Sequence, residues 1–306
     1  MKPNFQQRDI IAINDFSKEE VLHILDITDK IKQKKQPDLL RGHILANCFF
    51  EPSTRTRLSF ESAMQRMGGS VIGFSDSQTT SVKKGESLSD TMKMIEHYAD
   101  IIVIRHPLEG AAQQAANCSS IPVINAGDGT NQHPTQTLLD LFTINECQNK
   151  LEGLNIAMIG DLKYGRTVHS LAQASSFFNH RLYFISPPHL EMPKEICDEL
   201  RNKRIKFSFH KEIDEIIEKI DILYVTRLQT ERFPHHMEYE EVKSNFILKS
   251  SQLAKARPNL KILHPLPRVN EIQQDVDHTP FAHFFQQAQN GLFVRQALLG
   301  LILGKL

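Results

Sequence analysis

No apolar run in this chain approaches the roughly 18–20 residues that a membrane-crossing helix needs. The first residues, Met1-Lys2-Pro3-Asn4-Phe5, lack the apolar core of a secretory signal. Net charge is also missing, because 36 Lys and Arg balance 36 Asp and Glu, and this argues against a broad nucleic-acid surface. Any anionic ligand must therefore be held by cations gathered locally. There is no C-x-x-C: Cys48, Cys118, Cys147 and Cys197 stand far apart and read as reduced thiols of a cytoplasmic protein. The only close histidine pair, His235-His236, is adjacent, and neighbours rarely share a helical face, so no metal site is expected. No nucleotide fingerprint occurs either. Gly160-x-x-x-x-Gly165-Arg166 is neither G-x-G-x-x-G nor a P-loop, and Leu182 and Tyr183 stand where an acidic residue about 20 positions on would belong. No cofactor is expected.

What is present is a soluble globular composition, 40% hydrophobic and 24% charged, in a chain long enough for two domains. Its organising stretch is Phe49 to Arg57. The apolar run from Ile44 to Phe50 reads as a buried strand, and Glu51-Pro52 breaks it. Ser53 is a good N-cap, and Leu58, Phe60, Met64 and Met67 then follow at helical spacing. Thr54, Arg55 and Thr56 thus fall in a first helical turn. Backbone N–H groups are unpaired there and the helix dipole is positive, which suits a phosphate dianion.

Strands and helices alternate along the rest of the chain. Strands are expected at Val71–Phe74, Asp100–Arg105, Ile121–Asn125, Asn155–Ile159, Arg181–Ile185, Ile205–Phe209, Asp221–Thr226 and Lys261–His264. Helices are expected after Ser17, over Ser87–Tyr98, Glu109–Asn117, from His133, from Thr167, over Pro193–Asn202 and Glu212–Ile220, and from Gly291. Residues 75–86 and 227–245 are polar and read as loops, the first of them mobile. The expected fold class is α/β: two lobes, each a mainly parallel sheet flanked by helices, with the active site in the cleft between them.

Six polar motifs follow predicted strands, where ligands sit in open α/β sheets: Ser53–Thr56, Arg105, His133–Gln136, Asp161–Arg166, Arg227–Gln229 and His264–Arg268. Lys84-Gly85-Glu86 lies apart from them, in the first loop. Arg105 ends an apolar strand and needs an anionic partner, either a structural carboxylate or a ligand. His133, before Pro134, fits a first helical turn, either satisfied by its own turn or donating to a carbonyl oxygen, and Gln136 lies one turn on. Lys84-Gly85-Glu86 is either a solvated charge run or a hinged lysine that swings to a phosphate. Arg166 at a helix start suits a carboxylate, and Arg227 with Gln229 suits a second one, unless they are ordinary surface polarity. Pro265-Leu266-Pro267 is stiff and short of N–H donors, so its carbonyls are either a plain turn or acceptors for an amine.

Taken in order, F-E-P-S-T-R-T-R, S-x-x-K-G-E, R-H-P, N-A-G-D-G-x-N-Q-H-P-T-Q, G-D-L-K-Y-G-R-T-V-H-S-L, T-R-x-Q, H-P-L-P-R and G-L-F-x-R-Q-A-L span nearly the whole chain. The set resembles the aspartate/ornithine carbamoyltransferase family, in the form that acts on aspartate. The resemblance implies a carbamoyl-phosphate-binding domain at 1–134 with 290–306 and an aspartate-binding domain at 135–289. It implies that Ser53, Thr54, Arg55, Thr56 and Arg105 bind phosphate, and that Thr56, Arg105 and His133 polarise the carbamoyl oxygen. It further implies that Gln136 and the carbonyls of Pro265 and Leu266 position the amine or carbamoyl NH₂, and that Arg166, Arg227 and Gln229 hold the aspartate carboxylates. Ser81 and Lys84 are implied to reach a neighbouring subunit's site in a homotrimer; Lys83 beside them is given no part. Carbamoyl phosphate and L-aspartate are the implied partners, and a separate regulatory chain is a candidate further one. Two alternatives remain: an ornithine carbamoyltransferase, which typically has H-C-L-P where this chain has His264-Pro265-Leu266-Pro267, and a non-catalytic binding protein on the same fold.

Overall fold

The computed structural model describes residues 3–227 and 246–306. Gln229, His235-His236 and nearly all of the expected 227–245 loop lie outside them. The chain forms two units. One comprises Met1–Phe142 with Gln289–Leu306, the other Thr143–Ala288. The sequence reading placed these boundaries at 134 and 290; the chain divides instead inside the helix Pro134–Gln148.

The first unit holds a fully parallel four-stranded sheet in the order β2-β1-β3-β4: β1 Ile44–Phe49, β2 Ser70–Phe74, β3 Ile101–His106 and β4 Val123–Asp128. Helices α1 Lys18–Gln33, α2 Thr54–Arg66, α3 Leu88–Ile95 and α4 Ala111–Cys118 belong to the same unit, and β1 and β3 are nearly continuous apolar runs because helices cover parallel sheets on both faces. β2 is the edge strand, and Ile72 is left exposed there. Ala46, Cys48, Ile102, Ile104 and Val123 form one core face with Met92, Ala112 and Ala115. Burial pushes the Cys48 thiol up to about 12, and all four cysteines are free thiols.

The second unit holds a parallel five-stranded sheet, β7-β6-β5-β8-β9: β5 Asn155–Ile159, β6 Arg181–Ile185, β7 Phe207–His210, β8 Ile222–Val225 and β9 Lys261–Leu263. Ala157, Ile159, Leu223, Val225 and Ile262 pack against Ile213, Ile216, Ile217 and Leu260.

Four local expectations need correction. The stretch 212–220 is one 3₁₀ turn, Ile213–Glu215, whose apolar residues fill the core without continuing as a helix. β7 starts two residues late because Arg204 takes a left-handed turn (φ 59°) and Ile205 is used as a buried anchor. The last helix runs Phe284–Ile302, so Gly291 lies within it and does not start it. Residues 75–86 contain two short 3₁₀ turns, Ser77–Thr79 and Ser81–Lys84, the second closed by Gly85 at φ 93°.

Candidate active site

In each sheet the chain reverses its direction of growth beside the first strand. β2 and β3 flank β1, and β6 and β8 flank β5. The crevice beyond the carboxyl ends at such a switch point is where open α/β sheets bind ligands.

At the first switch point, helix α2 (Thr54–Arg66) leaves β1. Thr56, Phe60, Ala63 and Met64 make its buried stripe, which turns Thr54 and Arg55 outward. Ser53 occupies the N-cap with extended backbone, yet its side chain makes no capping bond, so its hydroxyl is not committed to its own helix. The Arg55 side chain has no hydrogen bond or ion pair among the described residues and is exposed. Arg105 lies in register with Phe49 across β1 and β3. Its Nη1 donates to the Ala126 carbonyl at 3.1 Å, and its Nη2 stands 2.7 Å from Glu51 Oε1. Glu51, which the sequence reading used only as a strand breaker, is thus the carboxylate that Arg105 required.

The neighbouring β4 delivers His133 and Gln136. Asp128, at its end, is buried and accepts four hydrogen bonds: from the Gly110 and Gln132 N–H groups (2.9 and 3.1 Å) and from the Asn125 and Asn131 amides (2.9 and 3.0 Å). A carboxylate only accepts, so it can gather this donor-rich loop. The loop leads to His133, itself buried, whose carbonyl accepts the Gln136 N–H at 3.0 Å and the Thr137 N–H at 3.2 Å and so opens helix α5 (Pro134–Gln148). Gln136 Nε2 donates to the buried Asp140 Oδ1 at 2.8 Å. Ser81 and Lys84 are exposed on their 3₁₀ turn, which Val82 ties to the core.

At the second switch point, in the other unit, Gly160 follows β5 with φ 120°, and a Cβ there would collide with the Thr226 carbonyl oxygen at the end of β8. Gly165 is equally confined, since its Cβ would lie 2.6 Å from the Asp161 carbonyl oxygen. Asp161 accepts the Lys163 and Tyr164 N–H groups at 3.1 and 2.9 Å, shaping the turn that places Arg166 first in helix α6 (Arg166–Ala174). Arg227 follows β8 at the same switch point. The Pro265-Leu266 turn follows β9 and is fixed by His264. The Leu266 N–H donates to His264 Nδ1 at 2.8 Å, so the ring proton sits on Nε2 and points to Glu271 Oε1 at 2.7 Å. Burial opposes the Glu271 charge most strongly, but the His264 contact and the backbone N–H groups of Val269 and Glu271 together outweigh it and hold the carboxyl below its usual range. Leu266 is held left-handed, at φ 55°.

The unit also has a cavity of about 1020 Å³ beyond β5, β6 and β7, lined by Ile185, His210, Glu215, Phe246 and Leu248. None of the expected site residues among those described lines it. Among the described residues, no three His, Cys, Asp or Glu side chains gather as a metal ion would require. No helix among them is long and apolar enough to cross a membrane.

Residues 8–146 match the profile "aspartate/ornithine carbamoyltransferase, carbamoyl-P binding domain", and residues 152–302 match "aspartate/ornithine carbamoyltransferase, Asp/Orn binding domain". The chain is 54% identical over 299 residues to the aspartate carbamoyltransferase catalytic subunit of Chromobacterium violaceum, covering 98% of this chain and 99% of the relative. It is 56% identical over 303 residues to that of Thermococcus onnurineus, covering 98% of each. Among solved structures, the catalytic subunit of M. jannaschii aspartate transcarbamoylase superposes with TM-score 0.90 at 52% identity, over 96% of this chain and 97% of that one. Aspartate transcarbamoylase from Trypanosoma cruzi, in complex with carbamoyl phosphate and aspartate, superposes with TM-score 0.92 at 34% identity, over 98% and 96%.

Proposed function

The chain belongs to the aspartate/ornithine carbamoyltransferase family, and on that premise we propose that it transfers the carbamoyl group of carbamoyl phosphate to L-aspartate, giving N-carbamoyl-L-aspartate and phosphate. The observation that carries the reading is the matched pair of switch points. One gathers Ser53, Thr54, Arg55, Thr56 and Arg105 beyond β1 and β3. At the other, Arg166 follows β5 and Arg227 follows β8, its neighbour in the sheet. The first set suits a phosphate dianion, and the second suits carboxylates.

In this reading the neutral aspartate amine attacks the carbamoyl carbon. Thr56, Arg105 and His133 stabilise the negative charge that develops on the carbamoyl oxygen, as fixed donors do best when they need no rearrangement. Gln136 accepts from the carbamoyl NH₂, and the Pro265 and Leu266 carbonyls accept from the amine. The C–O bond to phosphate breaks, and the leaving phosphate takes the amine proton, held by Ser53–Thr56 and Arg105. Phosphate competes with Glu51 for the Arg105 guanidinium. Ser81 and Lys84 serve a neighbouring copy in a homotrimer, Gln229 joins Arg227 at the second carboxylate, and a separate regulatory chain is a candidate partner. Such an enzyme takes part in pyrimidine biosynthesis in the cytoplasm.

Arg55→Ala and Lys84→Ala test the phosphate site. Carbamoylaspartate formation should fall by orders of magnitude in each, and near wild-type rates in both would remove these roles. Ornithine carbamoyltransfer is the nearest rival. The cations at Arg166 and Arg227 favour a dicarboxylate, and an amino-acid competition assay separates the two activities.

A further inference from the structure

The buried side chains behind Gln136 include an arrangement that the reaction as described does not use. Asp140 is fully buried one turn along α5 and receives the Gln136 amide nitrogen at 2.8 Å. Arg295, on the Phe284–Ile302 helix, is also buried and exerts its charge on Asp140. Its Nη1 donates to Ser59 Oγ of α2 at 2.9 Å, and its guanidinium lies 5.0 Å from the Phe60 ring centroid. Gly291 makes room for it, since a Cβ there would come within 2.5 Å of Nη1.

Two opposite buried charges sustain each other, because protonating Asp140 would leave the guanidinium uncompensated in an apolar interior. Burial pushes Arg295 down to about 10 while Asp140 pulls it back up, so the guanidinium remains charged at neutral pH. An ionised carboxylate can only accept. The end of the Gln136 amide that meets Asp140 must then be the NH₂, whichever way an electron-density map would be read.

We propose that Asp140, kept ionised by Arg295, is a positioning residue. It holds the Gln136 amide nitrogen and so leaves the carbonyl oxygen as the group Gln136 offers to substrate. This rests on the proposed reaction, in which that partner is the carbamoyl NH₂, a donor. A reversed amide would set donor against donor. The lock therefore serves the amino end of carbamoyl phosphate and does nothing for acetyl phosphate, which carries a methyl group there. Through Ser59, Arg295 also ties this lock to the helix that begins with Thr54 and Arg55.

The test measures kcat/KM for carbamoyl phosphate and the inhibition constant of acetyl phosphate in the full chain. Asp140→Asn keeps the shape but can donate, which frees the Gln136 amide to turn over. Its kcat/KM for carbamoyl phosphate should fall about tenfold while acetyl phosphate inhibition stays within about twofold. Gln136→Ala should show the same selectivity, and Asp140→Asn should add nothing in that background. Should Asp140→Asn not fold, the Asp140→Asn/Arg295→Met pair removes both charges together and carries the same expectation. Equal loss for both ligands, or additive losses with Gln136→Ala, overturns the proposal. Wild-type chain that forms no carbamoylaspartate overturns the reaction itself; wild-type turnover with unselective variants overturns the lock alone.

Discussion

The two switch points are built by different means. Beyond β1 and β3, carboxylate side chains set the geometry: Glu51 holds Arg105, Asp128 gathers the backbone and amides of the loop before His133, and Asp140 holds Gln136. Beyond β5 and β8 close backbone approaches make most of the shape, with one carboxylate, Asp161, closing the turn. Gly160 lets the ends of the two strands close up, Gly165 fits against the Asp161 carbonyl, and Arg166 simply starts a helix on that turn. The first design fixes donors and acceptors individually, as a site that stabilises developing charge requires. The second fixes only where two guanidinium groups emerge, which is enough to hold carboxylates.

The contrast breaks most easily at Gly160. Gly160→Ala forces a Cβ against the Thr226 carbonyl oxygen at a φ that L-residues avoid, so it should cost more than about 3 kcal/mol. Thermal melting followed by hydrogen exchange should show the loss in peptides of 143–288 and leave those of 3–142 protected. A loss spread evenly over both would deny the backbone this special role in the second unit.

The second unit also contains the clearest acid sensitivity. His180 is buried, with Nε2 2.7 Å from the Leu151 carbonyl oxygen, and burial pushes it down from 6.5 to about 4. Its folded pKa lies below its unfolded one, so the unfolded chain binds the proton first. The stability this neutral ring contributes is complete above pH 6.5 and declines as pH falls toward 4. The loss should reach about 3 kcal/mol at the low end. His180→Gln should flatten the melting temperature against pH over that window, and an unchanged slope would assign the acid sensitivity elsewhere.

How much of this was legible follows the same division. The S-T-R-T-R helix start and the helix opening at His133-Pro134 are patterns of local sequence and are found where they were read, and the strand and helix alternation holds apart from 212–220 and the shifted starts of β7 and the last helix. Partners contributed from distant segments were not legible. Glu51 reads as a breaker until β3 brings Arg105 beside it, and Arg295 reads as one more polar residue on an amphipathic helix. Gly291 misled for the same reason. Glycine usually punctuates a helix, but here it lies inside one to admit a guanidinium. The stretch 212–220 has helical spacing, yet its isoleucines are spent on the core after a single 3₁₀ turn.

The side-chain design of the first unit predicts a cost at each buried carboxylate. Asp128→Asn turns an acceptor into a partial donor among four donors, so it should cost about 2 kcal/mol. Hydrogen exchange should rise at Gly110 or Gln132, whichever N–H then faces the amide NH₂, while Arg166 and its neighbours stay unchanged.

The smallest expected effect sharpens the comparison most, because it separates holding a helix from presenting a ligand. Ser59→Ala removes the hydroxyl that accepts from Arg295 and leaves every group facing the substrates in place. One hydrogen bond to a charged donor is lost, yet the hydroxyl site is half-buried, so the cost should be about 1 kcal/mol. For a unit of this size that is about 2–4 °C in melting temperature. The Gln136–Asp140 bond does not pass through Ser59, so carbamoyl phosphate should keep its advantage over acetyl phosphate. If Ser59→Ala erased that advantage, the first switch point would be one indivisible network and not a set of separately held groups.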